Sequence, residues 1–260
     1  MVDVVGNIDV AVLTLYVFWL FFAGLIFYIR QEDRREGYPL EDDMSGKFDK
    51  DPWLWLPKAK TYDLPHGLGT KSLPNAERDT RPLNAERMGR YDGSPLVPTG
   101  DPMGDNIGPG SWAERADRPD LNMEGHIRIV PMRTAGQFSV AKGDPDPRGL
   151  TIFGCDKEKA GVVSDVWVDT AESLIRYLEV TIGEGELART VVVPNGFATM
   201  RKTMQGNRYY YVHAITADQF KGVPALANPN QITLLEEDKI MGYFGGGQLY
   251  ATPRRQESYA

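Results

Sequence analysis

Residues 10–29 read VAVLTLYVFWLFFAGLIFYI. The run carries no charge, and Thr14 is its only polar side chain apart from the tyrosine hydroxyls. A helix of that length rises about 30 Å, the thickness of a bilayer's hydrocarbon core. A secretory signal would begin with positive charge and end in a small-residue cleavage site. Here the start is MVDVVGNID and the run ends at Arg30, Arg34 and Arg35. A helix buried in a globular core would usually keep a polar stripe, and this one is apolar all round. The stretch predicts a retained transmembrane helix over 10–30. The arginines behind it, against the acidic Asp3 and Asp9 ahead, predict a periplasmic N-terminus at 1–9 and a cytoplasmic bulk. Gly24 would admit a close neighbour, although no G-x-x-x-G is present, and the many aromatic side chains suit lipid or other transmembrane helices.

About 230 residues remain after the span, enough for one sizeable domain or two small ones. A net charge of −7 argues against a broad nucleic-acid face. The single cysteine, Cys155, excludes an intrachain disulfide and a cysteine-based zinc cluster, and reads as a small core residue.

Proline divides the remainder. Fourteen of the eighteen prolines fall between Pro39 and Pro147, where long helices and central strands are excluded. The same stretch carries Trp53, Trp55, Tyr62, Leu64, Leu96, Met103, Ile107 and Trp112 at intervals, unlike a solvated linker. Residues 31–130 therefore read as an extended membrane-surface segment with short strands, too poor in apolar residues for a core of its own and anchored on another protein at the membrane face.

A mainly β domain is expected over 131–250. VVSDVWVD at 162–169, RYLEVTIG at 176–183, LARTVVVP at 187–194 and RYYYVHAIT at 208–216 read as strands, with NGFATMRK as a turn. In the second, Leu178, Val180 and Ile182 alternate with Tyr177, Glu179 and Thr181. Short strands at this spacing predict a small antiparallel barrel or sandwich. TLLEEDKIMGYF at 233–244 predicts a helix opened by a Thr233/Glu236 capping box, with Leu235, Ile240 and Tyr243 on its apolar face and the glycines at 245–247 ending it. The tail at 251–260 reads as frayed.

No nucleotide-binding loop, zinc-protease helix or nucleophile elbow is present. His66, His126 and His213 lie far apart and share no ligand spacing. One acidic group stands out, with Asp165, Asp169 and Glu172 close to Arg176. Carboxylates beside an arginine ordinarily form a structural ion pair. Beneath a membrane partner they are also suited to carry protons.

Several segments taken together resemble the H subunit of the photosynthetic reaction centre of purple bacteria. They are EDRREGYPL at 32–40, KTYDLPHG at 60–67, PTGDPMGDNIGPGSWAERAD at 98–117, GHIRIVPM at 125–132, GDPDPRGL at 143–150 and ITLLEEDKIMGYFGGGQLYATP at 232–253. Their order spans essentially the whole chain.

The resemblance implies one N-terminal transmembrane α-helix, the extended Pro-rich segment, and a cytoplasmic antiparallel PRC-type barrel with a short C-terminal helix. It implies a non-catalytic subunit of a light-driven electron-transfer complex in the photosynthetic inner (chromatophore) membrane. Such a subunit caps the L and M subunits, stabilises the quinone region and helps conduct protons to the secondary quinone. No cofactor is expected on this chain itself; bacteriochlorophyll, bacteriopheophytin, quinones and non-haem iron belong to L and M. Membrane lipid is an expected partner, an antenna complex and a cytochrome subunit are further candidates, and nucleic acid is not expected.

By position, Glu172 resembles the family's buried glutamate below the secondary quinone, and Asp169 and Arg176 its acidic and basic neighbours. His126 resembles a surface histidine where protons enter, with Glu124 beside it. Some members carry two histidines in that segment where this chain has one, which leaves His126 and Glu124 a meagre set for a divalent metal. The competing readings are a PRC-barrel adaptor and a single-span enzyme outside photosynthesis.

Overall fold

The computed structural model describes residues 4–5, 8–42, 44–48, 56–75, 77 and 79–256. The expected anchors Trp53 and Trp55, and the last four residues of the tail, lie outside the described residues. The chain divides into two compact units. One comprises Met1–Thr80 with Arg90–Gly93, the other Arg81–Gly89 with Ser94–Ala260. The expected boundary between extended segment and β domain, at 130/131, does not coincide with this division.

In the first unit a two-residue pairing of β1 (Val4–Val5) with β2 (Ile8–Asp9) precedes α1 (Val10–Glu32). The Asp9 carboxylate caps the helix, accepting from the backbone N–H groups of Ala11 at 2.9 Å and Val12 at 3.3 Å. No residue of α1 is buried within this chain. Phe18, Trp19 and Phe22 cluster, with ring centroids 5.5–5.9 Å apart. Behind the helix, β3 (Lys60–Asp63) and β4 (Thr70–Leu73) form a hairpin. Arg35 fastens it to the helix end, donating to the carbonyls of Lys58 at 2.9 Å and Leu73 at 3.0 Å.

The second unit is built on one sheet. Its strands begin after the short hairpin of β5 (Ala85–Arg87) and β6 (Leu96–Pro98). They are β7 (Ile129–Pro131), β8 (Thr151–Phe153), β9 (Lys159–Asp169), β10 (Leu174–Ile182), β11 (Arg189–Pro194), β12 (Ala198–Lys202) and β13 (Arg208–Val212). The order is β11-β10-β9-β8-β13-β12, with β7 also paired to β9. All pairs are antiparallel except β13 with β8. The terminal strands β11 and β12 do not pair, so the barrel is not closed. Part of NGFATMRK, expected as a turn, is strand β12, because Ala198–Lys202 finds a partner in β13.

Both faces of β10 are covered. Tyr177, Leu178, Glu179, Val180 and Ile182 are all buried, so its alternation does not divide core from water. The core gathers Trp167, Leu178, Ile152, Ile215, Phe220, Ile240 and Phe244. Met103 and Ile107, expected as anchors on another protein, are buried here, and Met103 belongs to this same core. Trp112 is half-buried, with the Arg81 guanidinium 4.1 Å from its ring centroid. Tyr62 and Leu96 stay exposed.

The C-terminal helix α2 (Leu234–Tyr250) opens with the predicted capping box: Thr233 Oγ1 accepts from Glu236 N–H at 3.1 Å, and Glu236 Oε2 from Thr233 N–H at 2.9 Å. The glycines at 245–247 do not end it; the helix runs through them. They are packing positions. A Cβ on Gly245 would lie 2.4 Å from the Pro109 carbonyl oxygen, and one on Gly247 2.7 Å from that of Ala214. The helical backbone thus lies directly against the Gly108–Gly110 turn. The tail is not frayed as far as Gln256, since Arg255 donates to the carbonyls of His213, Ala214 and Gly247 at 2.7–2.9 Å. Cys155 is half-buried rather than in the core, and burial pushes its thiol pKa up.

Candidate functional site

The strands β9 and β10 meet through the turn at 170–173, and Asp169 organises it. Its Oδ1 accepts the N–H groups of Ala171 at 3.0 Å and Glu172 at 3.1 Å, and Ser173 N–H donates to its carbonyl at 2.8 Å. The carboxylate is 0 % exposed. A buried carboxylate needs partners, and two arginines supply them.

Arg176 arrives by a register shift. Ile175 pairs with Val168 and Tyr177 with Trp167, leaving Arg176 as the extra residue of a β-bulge. A bulge breaks the alternation and re-aims the side chain. Its Nε and Nη2 donate to Asp169 Oδ2 at 3.1 and 3.0 Å, and Nη2 also to Glu172 Oε2 at 2.9 Å. Arg128, immediately ahead of β7, approaches from the other edge of β9. It contacts Asp169 Oδ2 at 2.9–3.0 Å, Glu172 Oε1 at 2.5 Å and, more distantly, Asp120 Oδ2 at 3.4 Å. Thr170 holds the Arg128 carbonyl through its own N–H at 2.8 Å and its hydroxyl at 3.0 Å.

Asp169, Glu172, Arg128 and Arg176 make a quartet of two negative and two positive charges. Burial alone would raise the Asp169 pKa. Hydrogen bonds from Arg128, from the Glu172 N–H and from Arg176 outweigh it and hold the carboxyl below the usual range. The bond to Asp169 in turn pushes the Arg128 guanidinium up. Asp169 is therefore a fixed charge. Glu172 differs: its side chain is 49 % exposed in this chain, where the resemblance implied a buried glutamate. It is the quartet's solvent-reachable carboxylate, and neither arginine gives up its proton.

Asp165 belongs elsewhere. It shares Arg133 Nη1 with Glu179, at 3.2 and 2.6 Å. Trp167 Nε1 donates to Glu179 at 3.0 Å, and Ser164, the extra residue of the second bulge, donates to it at 3.1 Å. The acidic group of the sequence is thus two clusters on β9. The side chains of Glu124 and His126 are exposed, on a turn tied by Asn122 Oδ1, which accepts their N–H groups at 3.1 and 2.9 Å. The structure brings Glu172, Asp169 and Arg176 together, while Glu124 and His126 stand on their own turn, held through their backbone N–H groups. Among the described residues no group of three or more His, Cys, Asp or Glu is placed to hold a metal ion.

Sequence reasoning missed Arg128 and Asp120. Arg128 lies 41 residues from Asp169, and nothing local marks it.

Two family patterns match the chain. The photosynthetic reaction centre H-chain N-terminal region matches residues 2–134, and the PRC-barrel domain matches residues 140–219.

Proposed function

The chain belongs to the photosynthetic reaction centre H-chain family, and on that premise we propose that it conducts protons through Glu172 to the secondary quinone. It is a single-pass membrane subunit of a reaction centre, a family whose members associate with L and M subunits. In this proposal the second unit caps the cytoplasmic face of L and M and supports the quinone region. The pigments, quinones and iron would be held by those partners.

The observation carrying the proposal is the division of labour in the quartet. Asp169, buried and held ionised, is an anchor. Arg128 and Arg176 bridge it to Glu172, whose carboxylate still reaches solvent. Reduction of a quinone to a quinol takes up protons, and a capping domain would block their supply without polar stepping stones. A relay needs a carboxyl that exchanges its proton and is held in place while doing so. His126 and Glu124, exposed on their turn, are the proposed outer members.

The test is Glu172→Gln in the assembled complex. The proton-coupled second electron transfer should slow, while assembly and primary charge separation stay intact. Unchanged second-electron kinetics would leave only an ion pair that fixes the turn. The arginines at 30, 34 and 35 support a cytoplasmic second unit. Protease added to inside-out vesicles should then digest it, and digestion from the opposite face alone would overturn that orientation.

A further inference from the structure

A groove of about 580 Å³ is lined by residues of β10 and α2, among them Tyr177 and Glu237. Asp120 and Arg176 also line it, and both belong to the ion network of Glu172. In the groove the Tyr177 hydroxyl donates to Glu237 Oε2 at 2.7 Å. Tyr177 is buried, and Glu237 is partly buried in the first turn of α2. We infer that this groove is a second aqueous intake to the Glu172 network, with Glu237 as its proton-exchanging carboxyl. The inference rests on the reading of Glu172 as a relay.

Glu237 and Asp169 are opposites. Burial raises the Glu237 pKa, and the charge of Asp120 adds to it. The Tyr177 hydrogen bond and the charges of Arg115 and Arg176 oppose that rise without cancelling it. Arg115 is itself drawn toward Asp238, at 3.5 Å. A carboxyl raised toward working pH takes up and releases protons more readily than one held ionised. In the step proposed, the Glu237 carboxylate takes a proton from groove water and releases it to water leading toward Glu172, returning to the carboxylate. No electron moves, and Arg176 stays protonated throughout.

The test uses the assembled reaction centre with Glu237→Gln, Glu237→Asp, Tyr177→Phe and Glu172→Gln, each checked for normal primary charge separation. The readout is the rate of the proton-coupled second electron transfer across pH. Glu237→Gln should slow it several-fold and Glu237→Asp should restore most of the rate. Tyr177→Phe keeps the carboxyl but removes a donor to its ionised form. The pH at which the rate falls should therefore move upward. Wild-type rates and profiles in the Glu237 and Tyr177 variants, with Glu172→Gln slow, would overturn the intake and leave the relay. A wild-type rate in Glu172→Gln would remove the relay and the intake with it. Should Glu237→Gln fail to assemble, the shift in Tyr177→Phe decides: its presence supports the intake, its absence overturns it.

Discussion

Helix α1 and strand β9 are both rich in valine and tryptophan-sized apolar groups, but they spend them in opposite directions. No residue of α1 is buried in this chain, whereas Val163, Val166, Trp167 and Val168 of β9 are almost wholly so. The helix pairs its backbone internally, so its side chains are free to face lipid. The strand must borrow partners, and it has three, β7, β8 and β10. Stability of the span is thus a matter of solvent, and stability of the sheet a matter of neighbours.

The largest effect expected from this contrast is in the sheet. Trp167 is 0 % exposed and its Nε1 holds Glu179. Trp167→Ala should cost about 3–5 kcal/mol, read as a lowered unfolding midpoint of the full chain in mild detergent, with membrane insertion unchanged. A loss confined to insertion would break the comparison. Leu20, exposed at mid-span, is the mirror case. Leu20→Arg should cost about 2.5–3.5 kcal/mol of insertion, seen as chain released from membranes by alkaline extraction, with the sheet's melting unchanged.

Glycine sharpens the contrast further. A methyl at Gly247 would meet Ile215 Cγ2 at 2.5 Å, while one at Gly24 would meet nothing within 4 Å. Gly247→Ala should destabilise the second unit by about 1–3 kcal/mol. Gly24→Ala should leave the isolated chain unharmed, and a loss appearing only on assembly would locate a partner helix there. The smallest effect is the pH dependence of the quartet. The Asp169 pKa is lowered in the folded chain, so its stabilisation is fully present above the unfolded value of about 3.9. It is lost as pH falls through the lower folded value. Asp169→Asn should remove that acid-limb dependence, and an unaltered limb in thermal melts would exclude Asp169 as its source.

The sequence by itself determined the span, the proline-rich stretch, the main strands, the capping box and the closeness of Asp169, Glu172 and Arg176. Each of these is written within a few turns or strand repeats, as a charge-free run, a period or a short spacing. It misread the glycines at 245–247: Gly245 and Gly246 pack on the Gly108–Gly110 turn, far earlier in the chain, and Gly247 on Ala214 and Ile215. It also grouped Asp165 with Asp169, although four residues of extended strand hold them about 13 Å apart, and Asp165 shares Arg133 with Glu179 instead. Arg128 joins Asp169 across 41 residues, and Tyr177 joins Glu237 across 60. Such meetings are set by strand order, by register and by the one-residue bulges that turn a side chain aside. Only the tertiary structure decided them, because no local pattern records which distant strand or helix will lie alongside.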